Sequence, residues 1–187
     1  MPRLIAVEPQ TATGRVKDLL AGVQASLGAT PNLFRTLANS PAALEAYLAF
    51  NKALFKGKLS APLREQIALT VAEANGCGYC LAAHTAIGKS VGLEEKAILA
   101  SRRAEAENGR EGAALRFAKK LIQVRGRASE EDLNAIREVG FSDGEIAEIV
   151  ANVALNVFTN YFNLVAGTEV DFPAVPEPSV GASCACD

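Results

Sequence analysis

Along most of the chain, apolar residues recur every three or four positions between polar ones, the spacing of helices packed on one face. Over residues 13–27 the stripe is Val16, Leu19, Leu20 and Val23, and Gly28 stops it. Pro31 is placed to open a short helix through Leu33, Phe34 and Leu37. Pro41 opens the next, with Leu44, Leu48 and Phe55 expected inward and Gly57 as its end. Ser60 as N-cap and Pro62 in the first turn start a helix running to Asn75 and Gly76. Its centre, residues 67–72, is apolar nearly all round, the pattern of a helix buried on most sides. A helix from Cys77 to near Gly92 follows, and the pattern predicts two more over 93–104 and 112–124.

Ser129 with Asp132 and Ser142 with Glu145 have the spacing of capping boxes. The second opens the longest helix, to about Val165. Its stripe of Ile146, Ile149, Val150, Val153, Val157, Tyr161 and Leu164 is too broad for water and reads as core or subunit interface. Past Gly167, prolines 173, 176 and 178 exclude helix and make the chain extended. The final small, polar residues are expected to be mobile. No alternating β-branched run of useful length occurs. The expectation is an all-α fold of about eight helices. It forms a single domain over 1–187, with its core over roughly 30–167 and a tail over 168–187.

Composition narrows the function classes. The chain has 187 residues, long enough for a real hydrophobic core. Its 19 basic and 21 acidic residues nearly cancel, which leaves no electrostatic footprint for nucleic acid or an anionic membrane. No apolar run reaches the ~18–20 residues of a membrane span. The first eight residues hold no apolar signal core, so no signal peptide is expected and the cytoplasm is the default location. In that reducing compartment a Cys-x-x-Cys pair points to redox chemistry or metal binding rather than to a structural staple.

Such a pair lies in the run from Gly76 to His84, which holds Cys77, Cys80 and the only histidine, His84. At 100° per residue these three fall within about a 60° arc of one helix face. The thiols stand in the first turn, where free amides and the macrodipole favour a thiolate. One thiol can attack and the other resolve, with His84 one turn beyond Cys80 to accept a proton. Alternatively, the same residues with a carboxylate could hold zinc, or the thiols could be inert core. His84 reads as a base or as a packed or surface histidine. Tyr79 reads as a phenol in a proton relay or as a packed aromatic. Glu65, early in its helix, complements the dipole or takes part in the chemistry. Cys184 and Cys186 in the tail read most simply as mobile thiols.

At these residues the chain resembles the AhpD-like alkylhydroperoxidases of the carboxymuconolactone decarboxylase family. That pattern is a glutamate twelve residues before a Cys-x-x-Cys and a histidine four positions after its second cysteine. Glu65, Cys77, Cys80 and His84 match it. The flanking run from Asn75 through His84 and the late run from Asn160 to Pro173 are similar to peroxidase-related members of the same family.

The resemblance spans roughly residues 30–175 and implies an all-helical subunit in a trimer or hexamer. It implies Cys80 as the thiol attacked by peroxide, Cys77 as the partner that closes the disulfide, and His84 with Glu65 as the relay that deprotonates Cys80. It further implies a hydroperoxide substrate and no tightly bound cofactor or metal. An external dihydrolipoamide-type dithiol would restore the pair, and the resemblance implies a lipoyl protein or a peroxiredoxin as partner. Tyr79 departs from the best-known members, which carry histidine there, and a tyrosine cannot act as a base near pH 7. The family's decarboxylase branch generally lacks the cysteine pair, and the tail Cys-x-Cys lies outside the family pattern.

Overall fold

A computed structural model describes residues 1–177. The tail cysteines Cys184 and Cys186, with their expected mobility, lie outside the described residues. Among those residues the fold is all-α, with nine helices and no strand. The helices are α1 (Gly14–Leu27), α2 (Asn32–Leu37), α3 (Pro41–Leu54), α4 (Ala61–Ala74), α5 (Gly78–Ser90), α6 (Glu95–Arg102), α7 (Gly109–Gln123), α8 (Glu130–Glu138) and α9 (Asp143–Ala166).

Helix α4 is the axis of the bundle and packs against α5, α6, α7 and α9. The Ser60 hydroxyl caps it by accepting from the Leu63 N–H. Its apolar circumference feeds two core clusters at once. Leu63, Ile67 and Val71 face Leu115, Phe117 and Leu121 of α7 and Ile146, Ile149 and Val153 of α9. Leu69 and Ala72 face Leu20 of α1, Leu37 of α2, Leu44 of α3 and Leu81 of α5. A helix with two apolar faces must be covered on both, and this holds α4 and its turn into α5 at the protein's centre.

Both capping boxes form: the Ser129 hydroxyl accepts from the Asp132 N–H and the Ser142 hydroxyl from the Glu145 N–H. The Glu145 carboxyl is pulled down to about 2, first by the Ser142 backbone N–H and then by the Ser142 hydroxyl and Arg110. The helix expected over 112–124 begins earlier, at Gly109, because the Asn108 side chain accepts from the Arg110 N–H and caps it. Two glycines in the first turn, poor helix formers, hide that start in the sequence.

Phe55, expected inward, is 63% exposed. It is the C-cap residue just past the end of α3, where the helical register stops, and carries the Arg64 guanidinium over its ring at 4.8 Å. The stripe expected on α9 divides in the same way. Ile146, Ile149 and Val153 are buried, whereas Val150, Tyr161 and Leu164 are exposed. From Asn152 onward α9 turns inward a polar row of Asn152, Asn156, Thr159, Asn160 and Asn163, all buried. Helix α9 is long and apolar enough to cross a membrane by length and composition. Here half of that stretch is buried within the protein.

The ends of the described chain close over α2, α5 and α9. The amides of Arg3 and Leu4 donate to the Ala166 carbonyl. Over the described residues 168–177 the chain has no regular structure, in keeping with its prolines, and Asp171 accepts from the Asn32 N–H at 2.7 Å. Phe172 meets Tyr79 edge to face, with ring centroids 5.7 Å apart. Arg102 of α6 donates to the carbonyls of Pro176 and Glu177 at 3.0 and 2.8 Å, and to the Glu73 carboxylate at 2.7 Å.

Candidate active site

The turn between α4 and α5 builds the site. Gly76 takes φ +67°, a left-handed conformation that costs side-chain residues energy, and the Cys77 N–H reaches back to the Ala72 carbonyl. This stops α4 and immediately starts α5. Cys77 is therefore the N-cap of α5 rather than its first helical residue, and its sulfur accepts from the Cys80 N–H at 3.3 Å. A sulfur in the cap position meets the unpaired amides of the first turn, the environment that favours a thiolate. Cys77 and Cys80 are joined as a disulfide, with Cα atoms 5.3 Å apart. Both are nearly solvent-free, at 1% and 2% exposure.

Glu65 and His84 lie nineteen residues apart on adjacent helices, and the packing of α4 on α5 joins them. The His84 Nδ1 is 2.7 Å from Glu65 Oε2. A carboxylate on Nδ1 fixes the ring and leaves Nε2 as the nitrogen able to take or give a proton. Glu65 also faces Tyr47, whose phenol is pushed up to about 12, chiefly by burial and then by the Glu65 charge.

A small cavity of about 60 Å³ brings these groups together. It is lined by Cys80, His84 and Glu65, by Ala68, Ala83 and Leu155, and on the α9 side by Asn152, Asn156, Thr159 and Asn163. At the ~10–15 Å³ that one water occupies, it admits a few waters or the oxygen end of a small molecule. Cys80 lines it and Cys77 does not. The two sulfurs thus differ: one faces the cavity, and the other stands behind it at the helix cap.

Tyr79 also reaches this wall, but its hydroxyl is already engaged. It accepts from the Leu33 N–H at 3.1 Å. Burial, helped by the nearby Asp171 charge, pushes the phenol well above its ordinary value. Tyr79 ties α5 to α2 and to the segment after Gly167, and its proton stays on oxygen at any physiological pH. Among the described residues no group of three or more His, Cys, Asp or Glu side chains is arranged to hold a metal ion.

Sequence reasoning did not single out the asparagines of α9. Asn163 Nδ2 donates to the Cys80 sulfur at 3.3 Å. Asn160, one turn earlier, accepts from Asn75 Nδ2 at 3.0 Å and ties α9 to the turn that holds the cysteines. Their signal was the run from Asn160 to Asn163, in which asparagines three apart share one face of a strongly apolar helix.

The sequence profile of the carboxymuconolactone decarboxylase family matches residues 41–120, which hold Glu65, both cysteines and His84. No curated protein matches the chain. Among solved structures, the alkylhydroperoxidase AhpD core, an uncharacterized peroxidase-related protein of Ralstonia eutropha JMP134, is 30% identical. That match covers 91% of this chain and 92% of that one, with a TM-score of 0.79. An uncharacterized peroxidase-related protein of Silicibacter sp. TM1040 is 24% identical over 90% and 94% of the two chains, with a TM-score of 0.76. The debrominase Bmp8, as its C82A form in complex with 2,3,4-tribromopyrrole, is 21% identical over 91% and 93%, with a TM-score of 0.77. The last two show the fold alone.

Proposed function

This chain belongs to the carboxymuconolactone decarboxylase family, with an AhpD-like fold and a Cys77–Cys80 pair, and on that premise we propose that it is a thiol-dependent hydroperoxide reductase. The observation that carries the reading is the shared cavity, which puts the Cys80 sulfur, the His84–Glu65 pair and a few ångströms of free space side by side.

In the reduced protein His84 takes the Cys80 proton, and the thiolate attacks the terminal oxygen of ROOH. The S–O bond forms as the O–O bond breaks, and the leaving alkoxide takes the proton back from His84 as ROH. The Cys77 thiolate then attacks the sulfur of the sulfenic acid. The S–S bond forms, and hydroxide leaves as water with the proton that Cys77 gives up. ROOH and two thiols become ROH, water and the disulfide. A dithiol of the dihydrolipoamide type, presented by a lipoyl protein, restores the pair by exchange, and a peroxiredoxin is proposed as a further partner. No tightly bound cofactor or metal enters the cycle.

We place this cycle in the cytoplasm, where reducing equivalents are available. We place it in a homo-oligomer, a reading supported by Phe158, Tyr161, Leu164 and Val165, which leave an apolar face of α9 exposed.

The test is steady-state reduction of a small alkyl hydroperoxide with dihydrolipoamide as donor. Positioned acid–base groups contribute roughly 10²–10⁴-fold, so His84→Gln is expected to lower kcat/KM about a hundredfold. Glu65→Gln, which keeps the shape but not the charge beside Nδ1, should lose roughly tenfold. Equal rates in wild type and His84→Gln would remove the relay from the mechanism.

A further inference from the structure

We infer that Asn163 is a catalytic residue of this site, with its Nδ2–H holding the Cys80 sulfur as an anion and its Oδ1 receiving the O–H of the incoming hydroperoxide. The inference rests on the peroxidase reading for its second half only.

Three observations carry it. Asn163 is 4% exposed and touches the reacting atom, its Nδ2 lying 3.3 Å from the Cys80 sulfur. A thiolate is only an acceptor, so a buried N–H aimed at it lowers the energy of the charged form more than that of the thiol. Second, Asn163 Oδ1 is buried without a hydrogen-bond partner among the described residues. Such an oxygen is costly unless something donates to it, and Asn163 lines the catalytic cavity. Third, the side chain is held in place. Asn160, three residues earlier on the same face, is clamped by Asn75 of the α4–α5 turn, which fixes the rotation of α9 against the cysteines.

The two ends of the carboxamide divide the work. Before attack, Nδ2–H points at the negative sulfur of Cys80. During attack the sulfur electron pair moves to the terminal peroxide oxygen and the O–O pair leaves with the alkoxide. The hydrogen on that terminal oxygen stays with it and points at Oδ1, which aims the oxygen at sulfur. Asn163 gains and loses no proton, so its effect is not a titration of its own.

The experiment reads the two ends separately. The reduced full-length protein is alkylated with iodoacetamide across pH, and the Cys80 peptide is followed by mass spectrometry. Asn163→Ala is expected to raise the apparent pKa of Cys80 by about one unit, a tenfold smaller thiolate fraction at pH values below it. Asn163→Asp keeps the size and an acceptor oxygen but sets a like charge beside the sulfur, and should raise it further. If one variant fails to fold, the other decides. An unchanged Cys80 pKa in a folded variant overturns the Nδ2 assignment.

The reaction of Cys80 with ethyl hydroperoxide, divided by the alkylation rate at the same pH, reads Oδ1. It is expected to fall a further roughly tenfold in Asn163→Ala. A constant ratio overturns the Oδ1 half. A wild-type protein that alkylates normally yet ignores hydroperoxide overturns the peroxidase reading and that half with it. The pKa shift still decides Nδ2.

Discussion

Cys80→Ser is expected to lose hydroperoxide reduction entirely, by roughly 10³-fold or more, while the protein keeps its helical content and melting temperature. The magnitude follows from the chemistry. A serine hydroxyl is a far weaker nucleophile than a thiolate, and an alkoxide bonded to a second oxygen is not a route to turnover. The fold should not notice, because serine differs from cysteine by one atom in a site whose backbone is held by the α4–α5 turn. Cys77→Ser should behave differently. Cys77 stands at the helix cap and off the cavity, so its loss leaves the first step intact and removes only the thiol that resolves it. Mixing reduced Cys77→Ser with one equivalent of hydroperoxide should therefore trap a sulfenic acid on Cys80, detected by a dimedone adduct of that peptide. The same adduct on Cys77 in Cys80→Ser would reverse the assignment of the two thiols.

Arg102→Ala is expected to cost about 3–5 kcal/mol, the largest stability loss of any single substitution proposed for this fold. Arg102 and Glu73 are both buried, at 9% and 6% exposure, and meet at 2.7 Å between α6 and α4. Removing the guanidinium takes the opposite charge from beside a carboxylate that water scarcely reaches. It also removes the donors to the Pro176 and Glu177 carbonyls, which pin the segment after Gly167 across α5. For a chain of this length each kcal/mol moves Tm by about 2–4 °C, so thermal unfolding should begin roughly 10 °C lower. Replacing both partners by leucine should cost less than Arg102→Ala alone, since an apolar pair leaves no charge to desolvate. A double variant no more stable than the single one would mean that the guanidinium acts through the chain end rather than through Glu73.

Much of this arrangement was legible in the residues. The N-caps at Ser60, Ser129 and Ser142 and the glycine stop at 28 mark helix ends by local chemistry, and the structure has them there. The near-uniform apolarity of α4 announced a buried axis. The Cys-x-x-Cys and the histidine one turn later were plain because they share one helix. Other features depend on which way a helix is rotated, and apolar periodicity misreads that when a buried face is polar. On α9 Asn152, Asn156, Thr159 and Asn163 line the cavity while Val150, Tyr161 and Leu164 stay exposed, so a stripe read as core or subunit interface does not point to the face that forms the site. Tyr79 was ambiguous for a related reason. Its hydroxyl partner, the Leu33 amide, is 46 residues away, and only tertiary packing shows that the phenol is engaged. The pairing of Glu65 with His84 needed both the family spacing and the contact of α4 with α5.

The most direct test of the central claim is a thiol count on the reduced protein with Cys184 and Cys186 changed to serine, before and after one equivalent of alkyl hydroperoxide. Two thiols per chain are expected to disappear within the mixing time of the substrate. The peptide spanning Cys77 and Cys80 should then be two mass units lighter, with one equivalent of the alcohol released. Two thiols still free, with the hydroperoxide intact, would contradict it.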